Sequence, residues 1–156
     1  YQTLGLGVGA NVPKVNWELE RGMIFAVIDA IQAGVVVACQ DVSDGGMIVS
    51  LAEMAVAALE ARGLGAEIDM AEAAGNLRLD RALFSESSGF VVEVVAGRKA
   101  EFAEICARYG VEPTRLGEVT AVPHVMTTMG ESVALHASVA DLADSYHNAL
   151  AVLFNE

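Results

Sequence analysis

Basic residues are scarce in this chain of 156 residues, which has nine Lys and Arg against 21 Asp and Glu and a formal charge of −12. Such a surface repels a polyanion, and it offers few cations whose contacts with phosphates would release counterions. The charge balance therefore excludes nucleic acid as the expected partner.

Cysteine is almost absent too, with only Cys39 and Cys106, and no Asn-x-Ser/Thr sequon occurs. Both absences are typical of a reduced, cytoplasmic protein rather than of a secreted disulfide framework. Each cysteine lies in an apolar context, which predicts a small buried side chain rather than a nucleophile. The histidines, His124, His136 and His147, share no ligand spacing with the cysteines, and this disfavours a zinc site or a Cys-His dyad.

Long apolar runs are also missing. No run approaches the roughly 20 residues that a membrane helix requires, and no basic segment with a signal-peptide core opens the chain. We therefore expect no membrane partner, and the start at Tyr1 indicates a piece of a longer polypeptide. Apolar residues nevertheless make up 54% of the sequence. This excludes intrinsic disorder and suffices for one domain that buries about 68% of its unfolded surface.

Hydrophobic periodicity divides the chain into helices and strands. The glycines and Pro13 of residues 1–13 predict a linker from a missing N-terminal region, and residues 14–156 predict a single domain. Apolar positions at helical spacing predict four helices: Asn16 to Gly34, a second through Leu51 that ends near Gly63, a third from Phe102 to Tyr109, and a last from Val139 to Leu153. Apolar runs predict strands, the first of them buried, over residues 35–39, 90–95, 116–122, 125–128 and 132–136, and the alternation of apolar and acidic residues predicts a half-buried strand over residues 66–70. This order predicts an α+β fold in which helices pack on a mixed β-sheet.

The glycines of residues 5–10 formally fit the dinucleotide-binding pattern G-x-G-x-x-A. That mechanism requires a strand before the glycines and a helix after them, so that the helix N-terminus faces the pyrophosphate. Here only four residues precede the glycines and Pro13 follows closely, so we interpret the segment as part of the linker.

The sequence Asp-Val-Ser-Asp-Gly-Gly at 41–46 lies between a predicted buried strand and a predicted helix, which is a better context for a ligand. Ser43 or Asp44 can cap the helix, while Gly45 and Gly46 let the backbone approach an anion at the helix N-terminus. Because two carboxylates repel a bare phosphate, a nucleotide would need a divalent cation between the first carboxylate and its phosphates. The motif therefore predicts a magnesium-phosphate site, with a capped tight turn as the alternative.

A second polar segment, Phe-Ser-Glu-Ser-Ser-Gly at 84–89, predicts only a turn by itself, but it adds to a family resemblance. The resemblance is carried by residues 40–55 (QDVSDGGMIVSLAEMA), 82–88 (ALFSESS) and 90–94 (FVVEV). Together they resemble phosphoribosylformylglycinamidine synthase, the ATP-dependent amidase of purine biosynthesis. The likeness extends over residues 13–153 and corresponds to the C-terminal domain of that family. It implies the three-layer α+β fold of an aminoimidazole ribonucleotide synthetase C-terminal domain.

The family resemblance also implies a ligand site. The family is built from two duplicated pairs of domains, of which one pair forms the active site and the other a pseudo-symmetric site that can hold a nucleotide. By this symmetry, Asp41 would bind Mg, and Ser85, Glu86 and Ser87 would help to bind ATP or ADP. The candidate nucleotide-binding residues are thus Asp41, Ser43, Asp44, Gly45, Gly46, Ser85, Glu86 and Ser87. The chain lacks the Arg that commonly precedes the strand at Phe90 in this family, so that phosphate contact is not expected.

The implied function is the conversion of formylglycinamide ribonucleotide to formylglycinamidine ribonucleotide with ATP and glutamine-derived ammonia. The catalytic His and the Cys-His-Glu glutaminase of the family lie outside the matched region. This chain would therefore be an architectural part of the ligase, inactive alone, with half of an auxiliary nucleotide site. Its implied partners are its own N-terminal domains, a glutaminase subunit or domain, a small accessory subunit and, for the severed domain, a second copy of itself.

Two other functions stay open at this point. A domain of another ATP-dependent synthetase or kinase of the same fold family would be preceded by a different ATP-binding motif. A non-enzymatic, nucleotide-binding assembly domain would bind nucleotide without turnover. Nucleotide titration of the full-length protein, compared with its turnover, separates these functions.

Overall fold

The structure, a computed structural model, describes residues 14–149 except the side chains of Glu60 and Ala61. Within this range the helices are α1 (Trp17–Gln32), α2 (Gly46–Arg62), α3 (Ala71–Ala74), α4 (Leu79–Phe84), α5 (Lys99–Arg108) and α6 (Val139–Asn148). The strands are β1 (Val36–Asp41), β2 (Gly65–Asp69), β3 (Phe90–Val94), β4 (Gly117–Thr120), β5 (His124–Met129) and β6 (Ser132–Ser138). The predicted linker, 1–13, and the end of the predicted last helix, 150–153, lie outside the described residues. None of the helices in the described range is long and apolar enough to cross a membrane.

Local chemistry sets the ends of the two long helices where the sequence predicts them. α1 begins after Asn16, whose side-chain oxygen accepts a hydrogen bond from the amide of Leu19 at 3.3 Å. This acceptor satisfies one of the amides that a helix start leaves unpaired. α2 ends at Gly63, which has a φ of 61° and donates its amide to the carbonyl of Leu59 at 3.1 Å. Glycine adopts this left-handed cap without strain.

The strands form two sheets. β1 and β3 form an antiparallel pair, and the other strands form a four-stranded sheet of order β4-β2-β5-β6. In that sheet β2 and β5 run parallel, whereas β4 and β6 pair antiparallel with their neighbours. The α+β class and the mixed pairing that the sequence predicts are confirmed. The division into two sheets differs from the one sheet that the element order suggests.

Helix α2 accounts for this division because it lies between the two sheets. Its Ile48 and Leu51 pack in one cluster with Ile68 of β2 and with Val91 of β3. One turn further along, the Ala55 side chain of the same helix packs in a cluster with β5. The helix therefore buries apolar side chains against both sheets and separates them.

Helices α1 and α5 cover the opposite face of the β1–β3 pair. Ala26 and Ala30 of α1 pack with Phe102 and Ile105 of α5, and partly buried valines of both strands lie against them. Small alanines allow the two helices to approach each other closely over the sheet. The layers thus follow in the order α1 with α5, the β1–β3 pair, α2, and the four-stranded sheet.

Strand β1 is less buried than the sequence predicts. Val37 is 48% exposed and Cys39 is only half-buried. In the described structure β3 is the one strand that pairs with β1, so the other edge of β1 is not covered by a neighbouring strand. Cys106 on α5 is buried, as predicted. Burial raises the pKa of both thiols, and the carboxylate of Asp41 raises the pKa of Cys39 further, which fits the prediction that neither is a nucleophile.

Candidate functional site

The acidic loop, residues 41–46, connects the end of β1 to the start of α2. Asp41 is the last residue of the strand, and the amide of Val42 extends the ladder by donating to the carbonyl of Gly89 at 2.9 Å. The side chains of the two aspartates and the serine in this loop are exposed. The predicted ligand loop is therefore a short connection that is anchored to β3 at its first residues.

Packing against α4 requires the glycine at position 46. Gly46 has a φ of 72°, and a Cβ there would lie 2.8 Å from the carbonyl oxygen of Leu83 and 2.7 Å from the carbonyl carbon of Phe84. Only a residue without a side chain allows this approach and this backbone conformation. The amide of Gly46 is also used, because it donates to the carbonyl of Ser43 at 3.0 Å. Gly46 thus allows α2 to pack against α4, whereas the sequence predicts that it allows a ligand to approach the backbone.

The cap of α2 comes from outside the acidic loop. The N-cap residue is Gly45, so the prediction that Ser43 or Asp44 caps this helix is wrong. The amide of Gly45 instead donates to Oε1 of Glu86 at 3.1 Å. A carboxylate at this position also interacts favourably with the positive end of the helix dipole. No local pattern signals this contact, because Glu86 follows Gly45 by 41 positions.

The serine loop, residues 85–89, connects α4 to β3 and is held at three points. The first is the contact of Glu86 with the start of α2. The hydroxyl of Ser88 donates to the carboxylate of Glu20 on α1, and the carbonyl of Gly89 accepts a hydrogen bond from the acidic loop. The sequence interpretation missed Ser88 and Glu20, which are far apart in the chain. The serine loop therefore joins α1, α2 and β1 at one end of the domain.

Ser85 and Ser87, both predicted ligand contacts, lie close together in the serine loop. Their hydroxyl oxygens are 2.9 Å apart and hydrogen-bonded. Ser87 is exposed and Ser85 is half-buried. Because a hydroxyl has one donor and two acceptor positions, each serine keeps hydrogen-bonding capacity for a further partner.

The carboxylate of Asp41 lies on a different side of the β1–β3 pair from α2. Side chains alternate along a strand, so Asp41 shares a face with Cys39, which is the face covered by α1 and α5. The intervening Gln40 points towards α2, where its amide donates to the carboxylate of Glu53 at 3.0 Å. The structure thus brings Glu86 into contact with the acidic loop, while strand alternation directs Asp41 towards the side of α1.

The two loops carry three exposed carboxylates, of which that of Asp41 faces the side of α1. Asp41, Asp44 and Glu86 form no ion pair within residues 14–149. Negative charges of this kind repel a bare phosphate and attract a divalent cation. Across the same range, no group of three or more His, Cys, Asp or Glu side chains could hold a metal ion. Among the described residues, the two loops alone therefore supply too few side chains to hold a metal ion without oxygens from phosphate, water or another domain.

An apolar groove of about 300 Å³ lies beside the serine loop, between α2 and α6. Ile48, Val49, Phe84, Leu142 and Tyr146 contribute to its lining. Nucleotide sites combine apolar walls with several polar groups that orient the ligand. This groove has few polar groups, so it does not fit a nucleotide. The acidic and serine loops, rather than this groove, are the candidate ligand site.

A known family matches the chain. Residues 2–129 match the profile of the family described as AIR synthase related protein, C-terminal domain. The match covers more than half of the sequence, and the chain belongs to this family.

Among the proteins similar to this chain are subunits of one enzyme. Phosphoribosylformylglycinamidine synthase subunit PurL of Methanothrix thermoacetophila is 46% identical over 121 residues, which cover 77% of this chain and 15% of that protein. The resemblance inferred from the sequence is thereby confirmed. The chain spans less than a fifth of the length of this relative.

Two solved structures of Thermotoga maritima proteins share the fold. They are PurL complexed with ATP and the complex PurLQS, each with a TM-score of 0.70. Their sequence identities are 21% and 20%, and each alignment covers 85% of this chain and 23% of the longer one. The likeness confirms the α+β fold of the domain.

Proposed function

We propose that this chain is the C-terminal domain of a phosphoribosylformylglycinamidine synthase. The whole enzyme would convert formylglycinamide ribonucleotide to formylglycinamidine ribonucleotide, using ATP and ammonia derived from glutamine in the cytoplasm. The observation that carries this proposal is the 46% identity with a subunit PurL over 121 residues. No observation favours another synthetase, a kinase or a non-enzymatic assembly domain.

Within that enzyme, the domain supplies structure rather than reacting groups. Glutamine hydrolysis generally uses a cysteine thiolate beside a histidine. The thiols of Cys39 and Cys106 have pKa values raised by burial, which keeps them protonated at neutral pH. Ammonia would therefore come from a glutaminase in another domain or subunit.

The acidic and serine loops would contribute one side of an auxiliary nucleotide site. Asp41 would be an oxygen ligand of Mg²⁺, which neutralises phosphate charge beside the acidic side chains. The hydroxyls of Ser43, Ser85 and Ser87 would hydrogen-bond to the nucleotide. The PurL of Thermotoga maritima complexed with ATP supports a nucleotide as the class of ligand. The remaining contacts would come from a neighbouring domain.

Helix α1 would be covered by other parts of the enzyme. The α1 stripe, consisting of Trp17, Ile24, Ile28 and Ile31, follows helical spacing along one side of the helix, and these residues are 40 to 77% exposed. Single exposed apolar residues are ordinary, but a contiguous stripe is typical of an interaction surface. The N-terminal domains of the parent polypeptide would pack there, and the glutaminase and a small accessory subunit would complete the assembly.

A chimera tests the proposed function. The matching segment of subunit PurL from Methanothrix thermoacetophila is replaced by residues 14–149, and ATP- and ammonia-dependent product formation is measured. We expect turnover of the same order as in the parent subunit, because nearly half of the residues are identical.

The matched control for this chimera carries Gly46→Val. Its side chain would collide with the backbone of Leu83 and Phe84, so we expect turnover to be lost. A folded chimera that binds ATP but forms no product would contradict the proposed function.

A further inference from the structure

Glu86 has a hydrogen-bond partner within the domain that a ligand-binding carboxylate would not need. Its Oε1 accepts from the amide of Gly45 at 3.1 Å, at the residue that precedes α2. Gly45 has no side chain with which to cap the helix. The carboxylate therefore supplies the acceptor at this helix start, where the partial positive charge of the dipole stabilises it.

Both ends of the serine loop are fixed as well. On one side, the end of α4 packs directly on the backbone of Gly46. On the other side, Ser88 donates to Glu20 of α1. Between these anchors, Ser85 and Ser87 hydrogen-bond to each other. Movement of Glu86 towards a ligand would break the cap, whereas the two serines can accept a ligand where they are.

We infer that Glu86 is a positioning residue, which caps α2 and fixes the serine loop so that Ser85 and Ser87 face the ligand. The role of the serines rests on the proposed nucleotide site, but the cap does not depend on any ligand. This role differs from the direct ligand contact that the family resemblance implies for Glu86.

Two substitutions of Glu86 distinguish a positioning role from direct binding of the ligand by the negative charge of this side chain. Glu86→Gln keeps a side-chain oxygen that can accept the Gly45 amide, but it removes the negative charge. Glu86→Ala removes both the acceptor and the charge. Glu112→Gln, in the exposed segment after α5, is the control that matches the change in net charge.

The cap is tested on the full chain by the amide resonance of Gly45 in nuclear magnetic resonance spectra. We expect its exchange with solvent to be about tenfold faster in Glu86→Ala than in the wild type, because a hydrogen bond to a charged acceptor is lost. In Glu86→Gln the exchange should stay near the wild-type rate. Equal exchange in all three proteins would overturn the cap.

The serine loop is tested in the same spectra by titration with MgADP to millimolar concentration. We expect Glu86→Gln and Glu112→Gln to bind MgADP as the wild type does, and Glu86→Ala to bind it severalfold more weakly. Equal losses in both Glu86 variants would mean that the charge contacts the ligand, and would overturn the positioning role. If none of the proteins binds MgADP, the ligand-facing role of the serines is refuted for this chain by itself, and the Gly45 amide alone decides the cap.

Discussion

The two long helices have nearly the same length, 16 residues in α1 and 17 in α2, but very different surroundings. α2 lies between both sheets and also contacts α4 and α6, so that Ile48, Leu51 and Ala55 are buried. α1 contacts α5 and β1, and it leaves Trp17 and Ile28 exposed on its outer side. The buried apolar residues of α2 therefore belong to the core of this domain, whereas the exposed ones of α1 leave an apolar surface on the outer side of that helix.

The largest effect is expected in the free energy of unfolding, when one apolar residue of each helix is changed to Ala. Leu51, which is 7% exposed on α2, should lose about 3 kcal/mol of unfolding free energy when changed to Ala, because a cavity forms between the sheets. Ile28, which is 40% exposed on α1, is the matched control, and Ile28→Ala should cost less than about 1 kcal/mol. Urea unfolding measures both values. Equal costs would show that the outer side of α1 is packed within the chain itself.

Self-association tests the α1 stripe. We expect the isolated chain to dimerise through these residues, and more strongly as salt screens its charge of −12. The double variant Ile24→Lys, Ile28→Lys should be monomeric in sedimentation experiments, because a charge cannot be buried unpaired in the contact.

The control for this experiment is the double variant Val119→Lys, Val133→Lys, which adds the same charge at exposed residues of β4 and β6. It should still dimerise. A wild-type chain that stays monomeric at high concentration and high salt would contradict the role of the α1 stripe in self-association.

Substitutions of the two cysteines compare the buried side of α1, where Cys106 packs, with strand β1, where Cys39 is only half-buried. Cys106→Ala, in the cluster between α1 and α5, should cost about 1 kcal/mol of unfolding free energy, and Cys39→Ala on β1 should cost less. In the parent enzyme, the double variant should leave the ratio of glutamine-dependent to ammonia-dependent turnover unchanged. A selective loss of glutamine-dependent turnover would mean that one of these thiols takes part in glutamine hydrolysis.

The smallest expected effect concerns the hydrogen bond from Tyr109 to Asp29 of α1, at 2.5 Å. This hydrogen bond, with burial and the charge of Asp29, raises the pKa of Tyr109 above its ordinary value of 10.0. Because the protonated phenol is the donor, its contribution to stability is complete below pH about 10 and is lost as the pH rises through the higher folded-state pKa. The stability difference between the wild type and Tyr109→Phe should therefore be constant from neutral pH to about 10 and narrow above it. A difference that widens above that pH would contradict this assignment.

Features that depend on neighbouring residues were predictable from the sequence. The start of α1 at Asn16 and the end of α2 at Gly63 are each decided within one helical turn. Strands such as β3 follow from apolar runs, whatever their partners are. The short helices within residues 71–84 were not assigned, because they are too brief to show a hydrophobic period.

Features that depend on distant residues were not predictable in this way. The contact of Glu86 with Gly45 and that of Ser88 with Glu20 join segments separated by 41 and 68 positions. The division into two sheets likewise depends on where α2 packs. For the candidate site, the sequence selected both loops, and the binding of Mg by Asp41 stays a prediction.

The position of α2 also determines how the domain unfolds. Both sheets pack part of their inner face against this helix, so displacing it exposes apolar side chains of both sheets to water at once. The β1–β3 pair and the four-stranded sheet should therefore melt as a single cooperative unit, although no strand is shared between them. Helices α1 and α5 cover one face of one sheet only, so we expect them to open at a lower free energy than α2 does.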